Sequence, residues 1–363
     1  MPRRRTALLA LGLVAAIASG CAGSSPSADK AGGSGGGTIL LRLAFTPEGD
    51  DQLPGVQDFV ARVAALSRGT IRIRLLPTWG SFEPDAEVQV VHAVASGAVD
   101  LGATRSNVFD TLGVSSFEAL SAPLLIDSYP LENAVLRSAI PGHMLAGLKR
   151  LGVTGLAALG DELRVPISVH RPLLSPADWR GLTVGTYRSA VQEQVIRALR
   201  ATPLVVFGPF RNQALATGRI QAFEQDVVGA EHNGLVGQAP WFTANVALWP
   251  EIDVLLVNPG RLASLTGQQR QWLAEAASAA SKDSATLASD DGAYVREDCA
   301  AGARFVDATA SGLAAMRRSL TVVYRRIEAD PPTKSFVEEI QRLKRSALHR
   351  PVIRVPAGCV RKP

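Results

Sequence analysis

The chain has 363 residues, 47% of them hydrophobic and 20% charged, a globular composition too long for one core, so two domains are expected. Of the formal net charge of +5, Arg3, Arg4 and Arg5 supply three within an opening segment that carries no acid. The +2 left over the rest gives no electrostatic case for nucleic acid.

Residues 1–20 read as a signal peptide, with a charged MPRRR start and an apolar TALLALGLVAAIAS stretch. That stretch falls short of the roughly 20 residues needed to span a bilayer. The ASGC that follows resembles a lipobox, in which the chain is cut before Cys21 and the cysteine is lipidated. A simple secretory signal cut nearby is the alternative, and Arg4-Arg5 loosely fits a twin-arginine export signal. Residues 21–37 are rich in Gly and Ser and read as a flexible spacer.

The body opens with a strand, ILLRLAF (39–45), and a polar loop. Val56, Phe59, Val60, Val63 and Leu66 then recur at helical spacing up to Gly69, and 70–77 alternate as a strand. A helix from about Asp85, capped by Gly97, leads into a strand over 98–103. Residues 129–152 are helical with a break expected at Pro141, and 153–160 form a buried strand. This alternation predicts a mostly parallel sheet in an α/β domain.

The grammar restarts after Gly160. RVPISV is a strand, PADWRG a turn, LTVGTY a strand and 190–201 a helix. TPLVVF is extended, 211–218 form a short helix, and RIQAFEQ is a strand. VALWPEIDVLLVN offers two extended runs divided by Pro250. Residues 266–299 could form one long helix, with two more helical stretches after it. The organisation expected is a first lobe of 38–160 and 250–290, and a second of 161–249 and 291–363 with the C-terminal helices. At least two crossings would join them, which suits closure about a hinge over a ligand. Ligands of open α/β sheets bind beyond the carboxyl ends of strands. Thr46, Arg105, Arg164, Arg188 and Gln225 belong at those ends.

No GxSxG elbow, phosphate loop or metal cluster is present in the sequence, and Asp161-Glu162 reads as a solvated turn. Neither a cofactor nor a metal is expected. Cys299 and Cys359, in the body of an exported chain, are candidates for a disulfide stapling the tail to a helix.

The order of motifs over most of 39–280 resembles the solute-binding proteins of tripartite ATP-independent periplasmic (TRAP) transporters, the DctP type. LRLAFTPEG, VQVVHAVASGAVDLGAT, LRVPISVHRPLLSPADWRGLTVG and FRNQALATGRIQAFEQ carry much of the likeness. The resemblance implies an α/β, two-lobed, periplasmic-binding-protein-like fold with an interlobe cleft and long C-terminal helices. It also implies capture of a small organic acid for a membrane permease, without catalysis. The lipobox and spacer place the protein outside the cytoplasm, tethered by its lipid to the outer face of the cytoplasmic membrane, or periplasmic. A guanidinium suits that task, because its planar fork pairs two carboxylate oxygens at once.

Arg164 matches one arginine of the family motif, and Gln225 stands where the family has an asparagine. The family's carboxylate clamp falls on Gly185, which has no side chain. Either Arg188, three residues on, replaces it, or the pocket binds something neutral or differently charged. Phe223 and Trp79 could face an apolar part of the solute, and Glu48, Arg105 and Thr46 should face the cleft from the first lobe. Two other readings remain: a ligand-sensing lipoprotein that presents its solute to a receptor or sensor kinase, and an exported hydrolase.

Overall fold

The computed structural model of the protein describes residues 37–46, 53–287, 292–348 and 352–360. The expected signal peptide, the lipidation site Cys21, nearly all of the spacer and Glu48 lie outside the described residues. Residues from Thr38 onward form one compact unit.

Ten strands build a mixed sheet: β1 (Ile39–Ala44), β2 (Ile71–Leu76), β3 (Leu101–Arg105), β4 (Thr154–Ser168), β5 (Thr183–Thr186), β6 (Thr202–Val205), β7 (Ala222–Gln225), β8 (Trp241–Thr243), β9 (Trp249–Val257) and β10 (Arg304–Val306). Their order is β2-β1-β3-β9-β4-β7-β5-β6, with β8 pairing β4 and β10 pairing β8. The outer pairs β1–β2, β1–β3, β5–β6 and β5–β7 are parallel, as the strand–helix alternation predicts. The central pairs β3–β9, β9–β4 and β4–β7 are antiparallel, so the sheet is mixed rather than mostly parallel. Alternation of strands and helices cannot reveal a strand that returns from far along the chain.

The two central strands correct the sequence reading in one way. β4 runs unbroken through Gly160, where two strands were expected, and β9 runs through Pro250. The register between them slips between Gly160 and Leu163, and Pro250 stands opposite Leu163 at that slip. A bulge leaves backbone groups out of the ladder, so a proline lacking an N–H is tolerated there. The same slip frees Asp161 and Glu162 from regular pairing.

Helices cover the sheet where the apolar spacing demands it. The helix Pro54–Leu66 starts on Pro54 in its first turn and buries Val56, Phe59 and Val63. The helix Ala86–Ser96 ends on Gly97 at φ 77°, the left-handed cap that glycine adopts without strain. It lies so close to β3 that a Cβ on Gly102 would meet Val94 at 2.7 Å and Val90 at 2.9 Å. Strand β3 itself starts at Leu101, three residues later than the alternation suggested. The break expected at Pro141 falls just ahead of it: one helix ends at Leu136, and the next, Ile140–Ala146, carries Pro141 in its first turn. The expected long helix appears as Gly267–Leu287 and Gly292–Ala300 on either side of residues 288–291, which are not described.

The last helices strap the molecule. Ala310–Ile327 packs on Ala190–Ala198, and Tyr324 donates to the Pro123 carbonyl at 2.8 Å. Pro331–Ser346 lies against 115–119, where Thr333 donates to Ser115 O, and Lys344 reaches the Leu124 and Leu125 carbonyls and Asp127. A disulfide joins Cys299 to Cys359 across 60 residues and pins the tail. No helix of the described residues is long and apolar enough to cross a membrane.

Candidate functional site

The long strands β4 and β9 belong to both halves of the sheet, and the polar residues of the molecule's centre gather on them. Arg105 ends β3, Arg164 follows the slip in β4, and Glu251 faces them from β9. Glu251 spans both guanidinium groups: Oε1 accepts from Arg105 Nε, and Oε2 pairs with an Arg164 terminal nitrogen. Arg105 also lies 3.3 Å from Glu87 and 3.4 Å from the Thr46 carbonyl. Arg164 donates to Gln225 Oε1 and has Asp226 at 3.8 Å and Glu224 at 3.9 Å.

Against both lies the ring of Tyr187, from the stretch that follows β5. The Arg105 guanidinium is 4.6 Å and that of Arg164 5.3 Å from the ring centroid. A cation over an aromatic face is attracted by the ring quadrupole. Phe207 stacks behind the tyrosine at 5.1 Å, with Phe82 edge-on beyond it, so the ring is held from the other side. The two arginines are fixed before any solute arrives, which lowers the ordering cost of binding.

A cavity of about 440 Å³ opens beside the Arg164–Glu251 pair, within the range of small-molecule sites. Its polar wall includes Asp161, Glu162, Arg164, Glu251, Gln57 and His232, and Tyr294 supplies an aromatic side. On the far side of the same pair a narrow crevice touches Arg105, Asn107, Tyr187, Gln192 and Glu224.

Crowded carboxyls leave a titration signature. Burial pushes Asp253 up to about 7, with Asp161 adding repulsion and Arg105 opposing it. Burial also raises Asp161, against a hydrogen bond with Glu162, and raises Glu87 against the pull of Arg105. Glu132, from the helix Tyr129–Leu136, is fully buried behind Asp161 and held well above the ordinary carboxyl range, chiefly by burial. The largest cause of each shift is the loss of water around an anion; neighbouring carboxyls add to it for Asp253, Asp161 and Glu132, and Arg105 opposes it for Asp253, Asp161 and Glu87.

Of the residues singled out from the sequence, Arg105, Arg164, Gln225 and Thr46 are buried and converge on this centre. Gln225 accepts from Arg164 and, at 2.9 Å, from Arg211, and donates to Asp226 at 3.0 Å. Phe223 is buried in the apolar core of the second half, with the Arg211 guanidinium 5.2 Å from its centroid. Trp79 is half-buried, packs at the edge of a core cluster, and lends its carbonyl to Thr46 Oγ1 at 2.6 Å. Arg188 does not line the cavity; it donates to the Pro84 carbonyl at 3.0 Å on the rim.

Sequence reasoning missed the residues that give the site its charge. Asp161 and Glu162 are 6% and 9% exposed and line the cavity, where a solvated turn was expected. Glu251, Glu87, Glu224, Arg211 and Tyr187 were not singled out. One signal was available: Glu251 and Asp253 are two acids in an otherwise apolar strand, and acids that stay in such a strand need partners.

Similarity to known proteins agrees with this architecture. The chain is 28% identical over 179 residues to the C4-dicarboxylate-binding periplasmic protein DctP of Rhodobacter capsulatus, a match covering 49% of this chain. It spans about half the length of that relative, 51%. A TRAP periplasmic solute-binding protein of Roseobacter denitrificans, solved with bound β-D-glucuronate, superposes with a TM-score of 0.73 at 21% identity over 83% of this chain and 99% of its own. Another, from Ralstonia eutropha H16 with bound (S)-2-acetolactate, gives 0.75 at 18% identity over 85% and 99%. A third, from Polaromonas with D-erythronate, gives 0.74 at 18% over 84% and 98%. The model of the bacterial extracellular solute-binding proteins, family 7, matches residues 44–330, and the chain belongs to that family, the DctP family.

Proposed function

We propose that this protein captures a small organic acid between its two halves outside the cytoplasmic membrane and delivers it to a TRAP-type permease, performing no chemistry on it. The observation that carries this reading is the pair of buried arginines, Arg105 and Arg164, at the junction of the halves beside a cavity of about 440 Å³. Arg164 lies on β4, which runs from one half into the other, and Glu251 faces it from the neighbouring β9, so closure would move both walls about the charged centre. The relatives found with glucuronate, acetolactate and erythronate support an acid as the solute class. On this reading the first lobe comprises 38–160 and 250–290 and the second 161–249 and 291–363, and Cys21 carries the lipid that holds the body at the membrane.

A guest that binds only the folded form raises the melting temperature by mass action. Thermal-shift screening of sugar acids, keto acids and hydroxy acids should therefore yield a hit, confirmed by calorimetry. Arg164→Ala should weaken that hit by about 10- to 150-fold, the worth of a charged hydrogen bond of about 1.5–3 kcal/mol. A folded Arg164→Ala protein with unchanged affinity would remove Arg164 from the site.

A further inference from the structure

Both arginines at the centre of the cleft already hold a carboxylate of the protein's own. Glu251 presents one oxygen to each, and Glu87 adds a second anion beside Arg105. An entering dicarboxylate would have to displace Glu251 from two guanidinium groups at once. It would then share a closed space with the carboxylate it displaced.

The walls lean the same way. Among the described residues that line the cavity and crevice, Asp161, Glu162, Glu224 and Glu251 are four carboxyl groups, against the guanidinium groups of Arg105 and Arg164 and the imidazole of His232. The bulge in β4 turns both Asp161 and Glu162 toward the cavity. Position 185 adds no cation, being glycine. The arginine three residues on, Arg188, donates to the Pro84 carbonyl outside the cavity.

We propose that Glu251, by spanning Arg105 and Arg164, sets the charge preference of the cleft, so that the solute is an amine-bearing acid whose ammonium lies against Asp161 and Glu162. This rests on the reading of the cleft as a solute site and narrows its guest. The acid end of either guest must compete with Glu251 for the arginine pair, but only the ammonium of an amine-bearing acid offsets the surplus of carboxylates. Like-charge crowding of this kind rejects the wrong guest as strongly as pairing selects the right one. Burial chiefly raises Asp161 and Asp253, and a neighbouring carboxyl adds to each, Asp226 to the first and Asp161 to the second.

Calorimetry on the mature wild-type protein with chain-matched pairs tests it: succinate against γ-aminobutyrate, glutarate against δ-aminovalerate, and lactate against alanine. The amine member should bind at least about tenfold tighter in the best-fitting pair. Glu162→Gln should erase that advantage by weakening only the amine members, and Glu251→Gln should shift the ranking toward the dicarboxylates. If Glu251→Gln does not fold, the wild-type ranking and Glu162→Gln decide. Tighter binding of the dicarboxylates by the wild type, or a ratio untouched by Glu162→Gln, overturns the proposal and leaves the cleft a solute site. Binding of neither class, in these pairs and across the acid screen, overturns both.

Discussion

A Cβ placed on Gly185 would meet Ile220 Cδ1 at 3.0 Å, Val206 Cγ1 at 3.4 Å and Phe223 Cβ at 3.5 Å. Position 185 therefore points into the apolar core of the second half, and an arginine there would have to force its first carbon between packed side chains. A buried guanidinium reaches this neighbourhood from elsewhere: Arg211, on the helix Gly208–Ala216, stacks on Phe223 and donates to Gln225. Gly185→Arg should consequently lower stability by about 1–3 kcal/mol, the usual cost of overpacking, without tightening any acid. Denaturant titration and calorimetry on the same protein check both halves of that statement. The motif showed that position 185 lacks a side chain. It could not show what had filled the space, because Ile220, Val206 and Phe223 reach Gly185 only through the fold. Tyr187, two residues on, is the member of that stretch the site uses, and nothing in its sequence neighbourhood separates it from Arg188.

Pairs of elements were legible where one face of each is buried. The helix Pro54–Leu66 and strands β1 and β2 stand within a few residues of their expected limits, since apolar spacing reports a single buried side. The central strands were not legible as units. β4 is buried on both faces from Ala157 to Ser168, so no alternation marks it, and Gly160 and Pro250 looked like ends. Helix Gly292–Ala300 offers a sharper test of how elements meet. It packs against Val227–His232 with Asp298 only 1% exposed and neither carboxylate oxygen hydrogen-bonded. Burial first, then Glu231, Asp226 and Glu297, push that carboxyl up to about 8. The folded state thus keeps a proton that the unfolded chain releases near pH 4. The stability Asp298 allows is full below about pH 4 and is lost as pH rises toward 8, with a slope of up to about 1.4 kcal/mol per unit. Asp298→Asn should flatten the fall in melting temperature between pH 5 and pH 8 and raise the value at pH 8 by several degrees. A variant whose profile runs parallel to the wild type would show that Asp298 ionises at its ordinary pH.

Across the whole molecule, the proposed closure would depend on what one half offers the other at the rim. Asp110, in the short helix Val108–Thr111 of the first half, accepts from Ser189 Oγ at 2.6 Å, Ala190 N at 3.1 Å and Val191 N at 3.0 Å. Those last two amides open the helix Ala190–Ala198, whose first N–H groups have no partner within the helix, and a carboxylate there also meets the positive end of its dipole. Asn107 Nδ2 reaches the Arg188 carbonyl at 3.4 Å, and Arg188 returns the contact to Pro84, so residues 188–191 are held by the first half at three places. If the halves close as proposed, these rim contacts should help decide how often the cleft is shut. Removing a helix cap costs about 0.5–2 kcal/mol, and here the loss falls on the closed form alone. Asp110→Ala should then weaken solute binding by about 2- to 30-fold with no contact to the solute changed, because the binding-competent form becomes rarer. X-ray scattering should show the solute-free variant with a larger radius of gyration than the wild type, and saturating solute should bring the two together. Identical scattering and affinity would mean that the Asp110 contacts persist in the open form and that closure is governed at the hinge strands alone.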